Sequence, residues 1–144
     1  MIKLKKSILI SAPPDKVFDV LDDTARIPEI WHNLSNIRNF QRLPNGGSSF
    51  DFDYVMASIK IQGSSVDLEY VRPSRLVTRT TGGLVSTMIW MFNPASDGAK
   101  TDLAVEIEYE VPIPLVGKLA EIIIAKINET DVVYVLNYLM LKFR

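Results

Sequence analysis

A strict alternation of apolar and charged residues is the sequence feature that most limits the fold of this chain. In AKTDLAVEIEYEV, residues 99–111, every second residue from Leu103 to Val111 is apolar, and glutamates stand between them at 106, 108 and 110. Successive side chains of a strand point to opposite faces of its sheet, so this segment predicts a strand with one buried and one solvated face. The same period of two in SSFDFDYVM, residues 48–56, predicts a second strand of this kind.

Six strands are predicted between residues 36 and 111, and short turns such as PNGG join them, which favours antiparallel pairing. A further strand is predicted at 3–11, a short helix at about 14–23, and a second short helix in ARIPEIWH. One long helix follows PIP at 112–114 and is roughly 40 Å long at 1.5 Å per residue. The predicted fold class is α+β, with a curled seven-stranded antiparallel sheet, two short helices and a long C-terminal helix over the concave face.

Composition narrows the classes of function. The chain has 144 residues, and we expect residues 1–144 to form a single domain. Its 16 basic and 17 acidic residues give no electrostatic argument for nucleic acid binding. With no cysteine and only one histidine, His32, the usual zinc ligand sets are missing, and we expect neither a metal nor a cofactor. The longest unbroken apolar run in the final helix, VVYVL, is far below the roughly 20 residues that span a bilayer, so no membrane span is predicted and the cytoplasm is the expected location.

The strand positions predicted to face inward are rich in aromatic residues and methionine. Large rings and flexible methionine side chains fit irregular apolar shapes, which suits the wall of a ligand pocket; the alternative is a filled core. The predicted wall consists of Phe52, Tyr54, Met56, Leu68, Tyr70, Met88, Trp90, Phe92, Val105, Ile107 and Tyr109, with Ile123 and Ile127 of the final helix.

Three polar residues fall on the apolar side of the predicted final helix. At 100° per residue, Thr130, Tyr134 and Asn137 lie in the same stripe as Ile123 and Ile127. Burying an amide or a hydroxyl without a partner costs roughly 1 to 3 kcal/mol. We therefore expect these three residues to face the cavity and to contact the polar end of an apolar ligand. Alternatively, they bond to the backbone or to one another.

The order of elements and several segments resemble a known superfamily. ILISAPPDKVFDVLDD near the start, VRPSRLVTRT in the middle and WMFNPASDGAKTDLAVEIEYEVP before the final helix are similar to the SRPBCC superfamily of START-like helix-grip proteins, and most similar to its polyketide cyclase/dehydrase-like branch. The resemblance covers the whole chain. It implies a deep cavity between sheet and long helix that holds a lipid, sterol, quinone-like molecule or polyketide. Members include carriers, cyclases and accessory subunits, so the fold alone does not select a function.

Carboxylates alternate with the residues predicted to face the core. They could form an oxygen-ligand metal site, but the alternation places them on the convex, solvated face of the sheet. In the strand order that the resemblance implies, Lys3 and Lys5 lie beside the glutamates of the last strand, so cross-strand pairing is favoured over a metal site. The carboxylates in question are Asp51, Asp53, Asp67, Glu69, Glu106, Glu108 and Glu110.

Three functions are compatible with these patterns. The first prediction is a non-enzymatic carrier or sensor that binds an apolar small molecule. The second is a polyketide cyclase or dehydratase-like enzyme with Tyr54, Tyr70, Tyr109 or His32 as a proton donor, although a structural role or surface position for His32 is favoured. The third is an accessory subunit that acts through its outer surface.

The sixth predicted strand carries apolar residues on both faces. Val85, Ile89 and Met91 would point outward, and an exposed apolar patch of this kind can mark the surface of a homodimer or a protein partner. The alternative is a strand irregularity that turns these residues inward.

Overall fold

The computed structural model of the protein describes residues 2–56, 59–110 and 118–144, with the side chains of all of these except residues 56, 59, 118–125, 127 and 128. Its strands are β1 Ile2–Ile10, β2 Leu34–Arg42, β3 Ser48–Met56, β4 Ile59–Val71, β5 Arg75–Gly82, β6 Val85–Ala95 and β7 Lys100–Glu110. Its helices are α1 Pro14–Asp22, α2 Ile27–Ile30 and α3 Lys118–Lys142, and short 3-10 turns lie at Thr24–Arg26 and Ser96–Gly98.

The strands form one seven-stranded sheet in the order β1-β7-β6-β5-β4-β3-β2, and every pairing is antiparallel. The predicted fold class is therefore confirmed. The predicted pairing of the first and last strands is also observed, since Lys3 lies 3.4 Å from Glu108 and Lys5 lies 3.1 Å from Glu106. These pairs are exposed, so each stabilises the fold by at most about 1 kcal/mol.

One face of α1 packs against the sheet through an aromatic cluster. Pro14 occupies the first turn of the helix, where its missing N–H would have no helical partner. Phe18 is fully buried, and its ring centroid lies 5.2 Å from that of Tyr70 and 5.0 Å from that of Phe92. The cluster fixes α1 over β4 and β6, and this places the end of α1 at the edge of the cavity described below.

A bulge in β4 reverses the direction of its side chains. The pairing of β4 with β5 slips between Asp67 and Glu69. Before the slip, Ser65 and Asp67 are buried on the inner face, and Leu68 is 55% exposed. After it, Tyr70 turns inward onto Phe18. The prediction that Leu68 lines the cavity is wrong, because an irregularity of one residue inverts an alternation of period two.

The inner side of α3 is formed by its later turns, as far as side chains are described. These residues pack against the sheet and contribute to the core with residues of α1 and α2. Among the α3 residues whose side chains are described, those buried are Asp131, Val132, Val135, Leu136 and Leu139.

Replacing Phe18 by alanine should destabilise the protein by about 3 to 5 kcal/mol, because the lost ring leaves a void between Tyr70 and Phe92. The matched control is Phe40→Ala, since Phe40 is 44% exposed and its loss should cost under about 1 kcal/mol. Chemical denaturation monitored by circular dichroism measures both changes. Similar losses for the two variants would contradict the assignment of Phe18 to the core.

Candidate functional site

A cavity of about 160 Å³ lies between the sheet, the region of α1 and α2, and α3. Both tryptophans of the chain, Trp31 and Trp90, are part of its wall. Among the described residues, the other apolar and aromatic ones that line it are Leu4, Leu21, Ile27, Leu34, Phe50, Phe52, Leu76, Leu84, Met88, Ile107, Tyr109 and Val132. The polar lining residues are Asp22, Thr24, Ser48, Tyr54, Ser65, Asp67, Thr78, Thr80, Ser86 and Asp131.

Part of the predicted wall lies at the cavity along β3, β6 and β7, and its role in ligand binding stays a prediction. The predicted residues that line the cavity are Phe52, Tyr54, Met88, Trp90, Ile107 and Tyr109. Tyr70, Phe92 and Val105 are buried or half-buried in the surrounding core and do not line the cavity. The side chains of Met56, Ile123 and Ile127 lie outside the described part of the structure.

A buried carboxylate, that of Asp131, lies at the α3 side of the cavity. Asp131 is only 6% exposed, although it stands on the helix that covers the sheet. Its Oδ1 accepts a hydrogen bond of 2.9 Å from Asn33 Nδ2, and its Oδ2 accepts one from the Tyr54 hydroxyl. His32 Nε2 lies 3.7 Å from Oδ1, and the His32 side chain is half exposed at the protein surface. Asp131 therefore links α3 to β3 and to the segment after α2.

Tyr54 is held as a hydrogen-bond donor in this arrangement. Burial raises the pKa of its hydroxyl far above the ordinary value, and the hydrogen bond to the Asp131 carboxylate raises this pKa further. Tyr54 therefore stays protonated throughout the physiological range of pH. It cannot act there as a base, but it can donate a proton into a hydrogen bond.

A second buried carboxylate, Asp67, lies on the floor of the cavity and is 8% exposed. Its Oδ2 accepts a hydrogen bond of 2.9 Å from the Ser48 backbone N–H, and its Oδ1 accepts one of 2.9 Å from the Thr78 hydroxyl. Burial raises the pKa of Asp67 above its ordinary value, against the opposite effect of these donors. Nearby, the hydroxyls of Thr80 and Ser86 are 2.6 Å apart. The floor of the cavity is therefore polar across β4, β5 and β6.

The predicted polar stripe of α3 is wrong. Thr130 is exposed and donates its hydroxyl to the Lys126 carbonyl at 2.9 Å, and Asn137 is exposed as well. Tyr134 is 43% exposed, and its ring lies 4.7 Å from that of His32. The later turns of α3 are apolar at so many consecutive positions that periodicity defines the inward side poorly. The alternative that these residues bond locally is the one observed for Thr130.

The sequence did contain one signal for Asp131 that the prediction missed. Asp131, Val135 and Leu139 are spaced by four residues and therefore share one side of a helix, and the latter two are typical core residues. The predicted inward stripe instead contained Ile127, Thr130 and Tyr134. Asp67 was missed because the prediction took Leu68 and Tyr70 as one inward face, whereas the bulge lies between them and Asp67 continues the inward alternation of Ile61 and Ser65.

The carboxylates predicted on the convex face are there, with the exception of Asp67. Asp51 accepts hydrogen bonds from Ser64 and Asn39, and Glu69 pairs with Arg75. Asp53 is on the convex side but is not solvated, because Arg38, Lys60 and Asn36 cover it. Within the described residues, no group of three or more His, Cys, Asp or Glu side chains could hold a metal ion.

The outward residues of β6 are half-buried. Val85, Ile89 and Met91 alternate with the cavity-facing Met88 and Trp90, so they lie on the convex face, as one of the two interpretations predicts. A homodimer or protein partner at this face stays a prediction.

The chain's sequence matches a family model. The model is described as polyketide cyclase / dehydrase and lipid transport, and it matches residues 1–137. The chain belongs to this family. The START-like fold that the resemblance predicted is therefore confirmed, and the family's activities are apolar-ligand binding or cyclisation in general. No curated protein matches the chain in sequence.

Several solved structures have the same fold. The Zhui aromatase/cyclase from Streptomyces sp. R1128 has a TM-score of 0.80 at 14% identity, with 98% of this chain and 92% of that chain covered. A START superfamily protein from Mycobacterium smegmatis has a TM-score of 0.79 at 13% identity, with 99% of each chain covered. A protein from Thermus thermophilus has a TM-score of 0.79 at 17% identity, with 96% of this chain and 94% of that chain covered. At these identities the likeness shows the fold alone.

Length and apolar character decide whether a helix can cross a membrane. In the part of the chain that the structure describes, no helix of this family member combines the length and apolar character that crossing a membrane requires.

The buried position of Asp67 predicts how stability depends on pH. Its pKa in the folded protein lies above the ordinary value of 3.8 expected for the unfolded chain. As the pH rises through the interval between these two values, the folded state binds more protons than the unfolded state, so the free energy of unfolding falls. Asp67→Asn removes this titration. The wild type should therefore lose stability relative to Asp67→Asn as the pH rises from below 3.8 toward 7, in denaturant titrations at a series of pH values.

Asp51→Asn is the control with the opposite sign. Hydrogen bonds from Ser64 and Asn39 lower the pKa of Asp51, so this residue stabilises the fold above the unfolded pKa and loses that effect as the pH falls. The wild type should gain stability relative to Asp51→Asn as the pH rises. The same sign for both variants would contradict the assigned environments of the two carboxylates.

Proposed function

We propose that this protein binds an apolar, ring-containing small molecule in the cavity between the sheet and α3, and that it acts as a carrier or sensor. The observation that supports this most directly is the cavity itself. Its volume of about 160 Å³ is similar to that of an engineered apolar cavity of about 150 Å³ that binds benzene, and it is partly open to solvent, so a ligand of two or three rings can extend beyond the enclosed part. The family description includes lipid transport, which agrees with an apolar cargo.

The wall favours flat rings over other apolar shapes. Trp31, Phe50, Phe52 and Trp90 present aromatic side chains to the same space, and Met88 adds a flexible, polarisable one. Transfer of an apolar ligand from water to such a wall is favourable by about 25 cal/mol for each Å² removed from water. The wall therefore supplies affinity without directional contacts.

The polar groups supply orientation. Asp131 and Tyr54 lie on the α3 side of the cavity, and Asp67 and Thr78 lie on its floor. Pockets for small molecules commonly combine an apolar wall with a few placed polar groups that fix the position of the ligand. A ligand with a ring system and one or two polar substituents matches this arrangement.

The experiment is a titration with the neutral dye 1-aminoanthracene, whose fluorescence rises in an apolar site. We expect saturable binding, with excitation transferred from Trp31 and Trp90. Ser65→Leu adds carbon atoms to the floor of the cavity and should weaken binding at least about tenfold, equivalent to 1.4 kcal/mol.

The matched control is Ser49→Leu. Ser49 neighbours Ser48 and Phe50, which face the cavity, so its own side chain faces the opposite side of the sheet. This variant should bind the dye as the wild type does. An absence of saturable binding by the wild type, or equal affinity for the wild type and Ser65→Leu, would refute the proposal.

An enzymatic function is the second candidate, and the pairing of Tyr54 with Asp131 is the observation that favours it. A hydroxyl donor beside a carboxylate acceptor, both in a cavity, is an arrangement that can move or orient protons in a cyclisation or dehydration. One structural relative is an aromatase/cyclase. The compound recovered from the protein separates the two functions, since a carrier returns the loaded molecule unchanged and a dehydratase returns one lighter by a water.

A further inference from the structure

The charged side chains that line the cavity, among the described residues, are all acidic. Asp22, Asp67 and Asp131 all line it, whereas no lysine, arginine or histidine is among its described lining residues. The net charge of the whole chain is only -1, so this imbalance is a property of the cavity and not of the protein as a whole. The imbalance bears on what kind of polar group a ligand can carry.

The three carboxylates differ in how their charge is balanced. Asp22 accepts a hydrogen bond of 2.7 Å from the Tyr70 hydroxyl and lies 3.7 Å from the Arg42 guanidinium, so it has a cation nearby. Asp131 has only the half-exposed His32 at 3.7 Å as a potential cation among the described residues. Asp67 has hydrogen bonds from neutral donors, and within the same described part of the chain it forms no ion pair.

A cationic ligand can balance the carboxylate charges that the described side chains do not pair. Removing a carboxylate from water is costly unless the charge is paired, and for Asp67 and Asp131 folding has already imposed that cost. A cation that enters the cavity gains their attraction in a medium of low dielectric constant. An anion that enters meets repulsion from all three carboxylates and no compensating cation among the described lining residues.

We infer that the cavity selects a ring-containing molecule that carries a protonated amine, and that it rejects the same ring system when it carries a carboxylate. This inference rests on the proposed function and specifies its ligand class. It separates this cavity from a site for fatty acids or other carboxylate-headed lipids.

The experiment compares three ligands that share one ring system. They are 2-(2-naphthyl)ethylamine, which is protonated at neutral pH, the neutral 2-(2-naphthyl)ethanol, and the carboxylate anion of 2-naphthaleneacetic acid. Isothermal titration calorimetry at neutral pH should give affinities that fall in this order, with at least about tenfold between the amine and the carboxylate. An alcohol that binds as tightly as the amine, or a carboxylate that does, overturns the inference because charge then contributes nothing.

Substitution of the two buried carboxylates tests whether the selectivity for the amine arises in the cavity. Asp67→Asn and Asp131→Asn should each reduce the ratio of amine affinity to carboxylate affinity by at least about threefold, since each removes one buried negative charge. Two variants are used because either substitution can impair folding. An unchanged ratio in every folded variant overturns the inference.

The matched control is Glu106→Gln. It changes the net charge by the same amount, but Glu106 lies on the convex face, where it pairs with Lys5. The ratio of affinities should stay as in the wild type, and an equal fall in the control overturns the assignment to the cavity. If none of the three ligands binds, the proposed function fails together with this inference. If the carboxylate binds best, only the inference fails.

Discussion

The hydrogen bond from the Tyr54 hydroxyl to Asp131 is the interaction on which the cavity depends. It connects the sheet with α3, and Asn33 donates to the other oxygen of the same carboxylate. A buried carboxylate without donors would cost several kcal/mol. Because neutral donors satisfy it, α3 can place a charged group over the sheet where packing alone would favour an apolar side chain. The described part of the cavity therefore has a polar side and an apolar wall.

Most of the fold could be predicted from the sequence because its strands are half-buried. The alternation in β3 and β7 fixes which side chains face inward, and Phe52, Trp90 and Ile107 line the cavity as predicted. Prediction failed where the periodic signal is weak or broken. A bulge in β4 puts Tyr70 and Asp67 on the same face, so the alternation read from Tyr70 back to Leu68 gives the wrong side for Leu68 and for Asp67. In α3, apolar residues lie on nearly every side, so periodicity could not show that Tyr134 faces out.

Because the bulge in β4 and the orientation of α3 were not predicted, the polar residues of the site were not predicted either. Asp67 stands between Val66 and Leu68, and Asp131 follows Glu129 and Thr130, so neither has a local pattern that marks an inward position, yet both line the cavity. Hydrophobic periodicity predicts which face of a strand or helix is buried as a whole. A binding site depends on the few polar residues that lie on the buried face against this pattern. Membership of the polyketide cyclase/dehydrase and lipid transport family gives the fold and the general kind of ligand. The carboxylates are the features of this chain that bear on which ligand it takes.

The central claim is that small molecules bind in this cavity and not elsewhere on the protein. The chain has two tryptophans, Trp31 and Trp90, and both belong to the cavity wall. Fluorine NMR of protein labelled with 5-fluorotryptophan therefore reports on the cavity alone. Addition of 2-(2-naphthyl)ethylamine should shift both resonances, and the shifts should saturate at the concentration at which calorimetry shows saturation. Binding detected by calorimetry while both resonances stay unchanged would contradict the account.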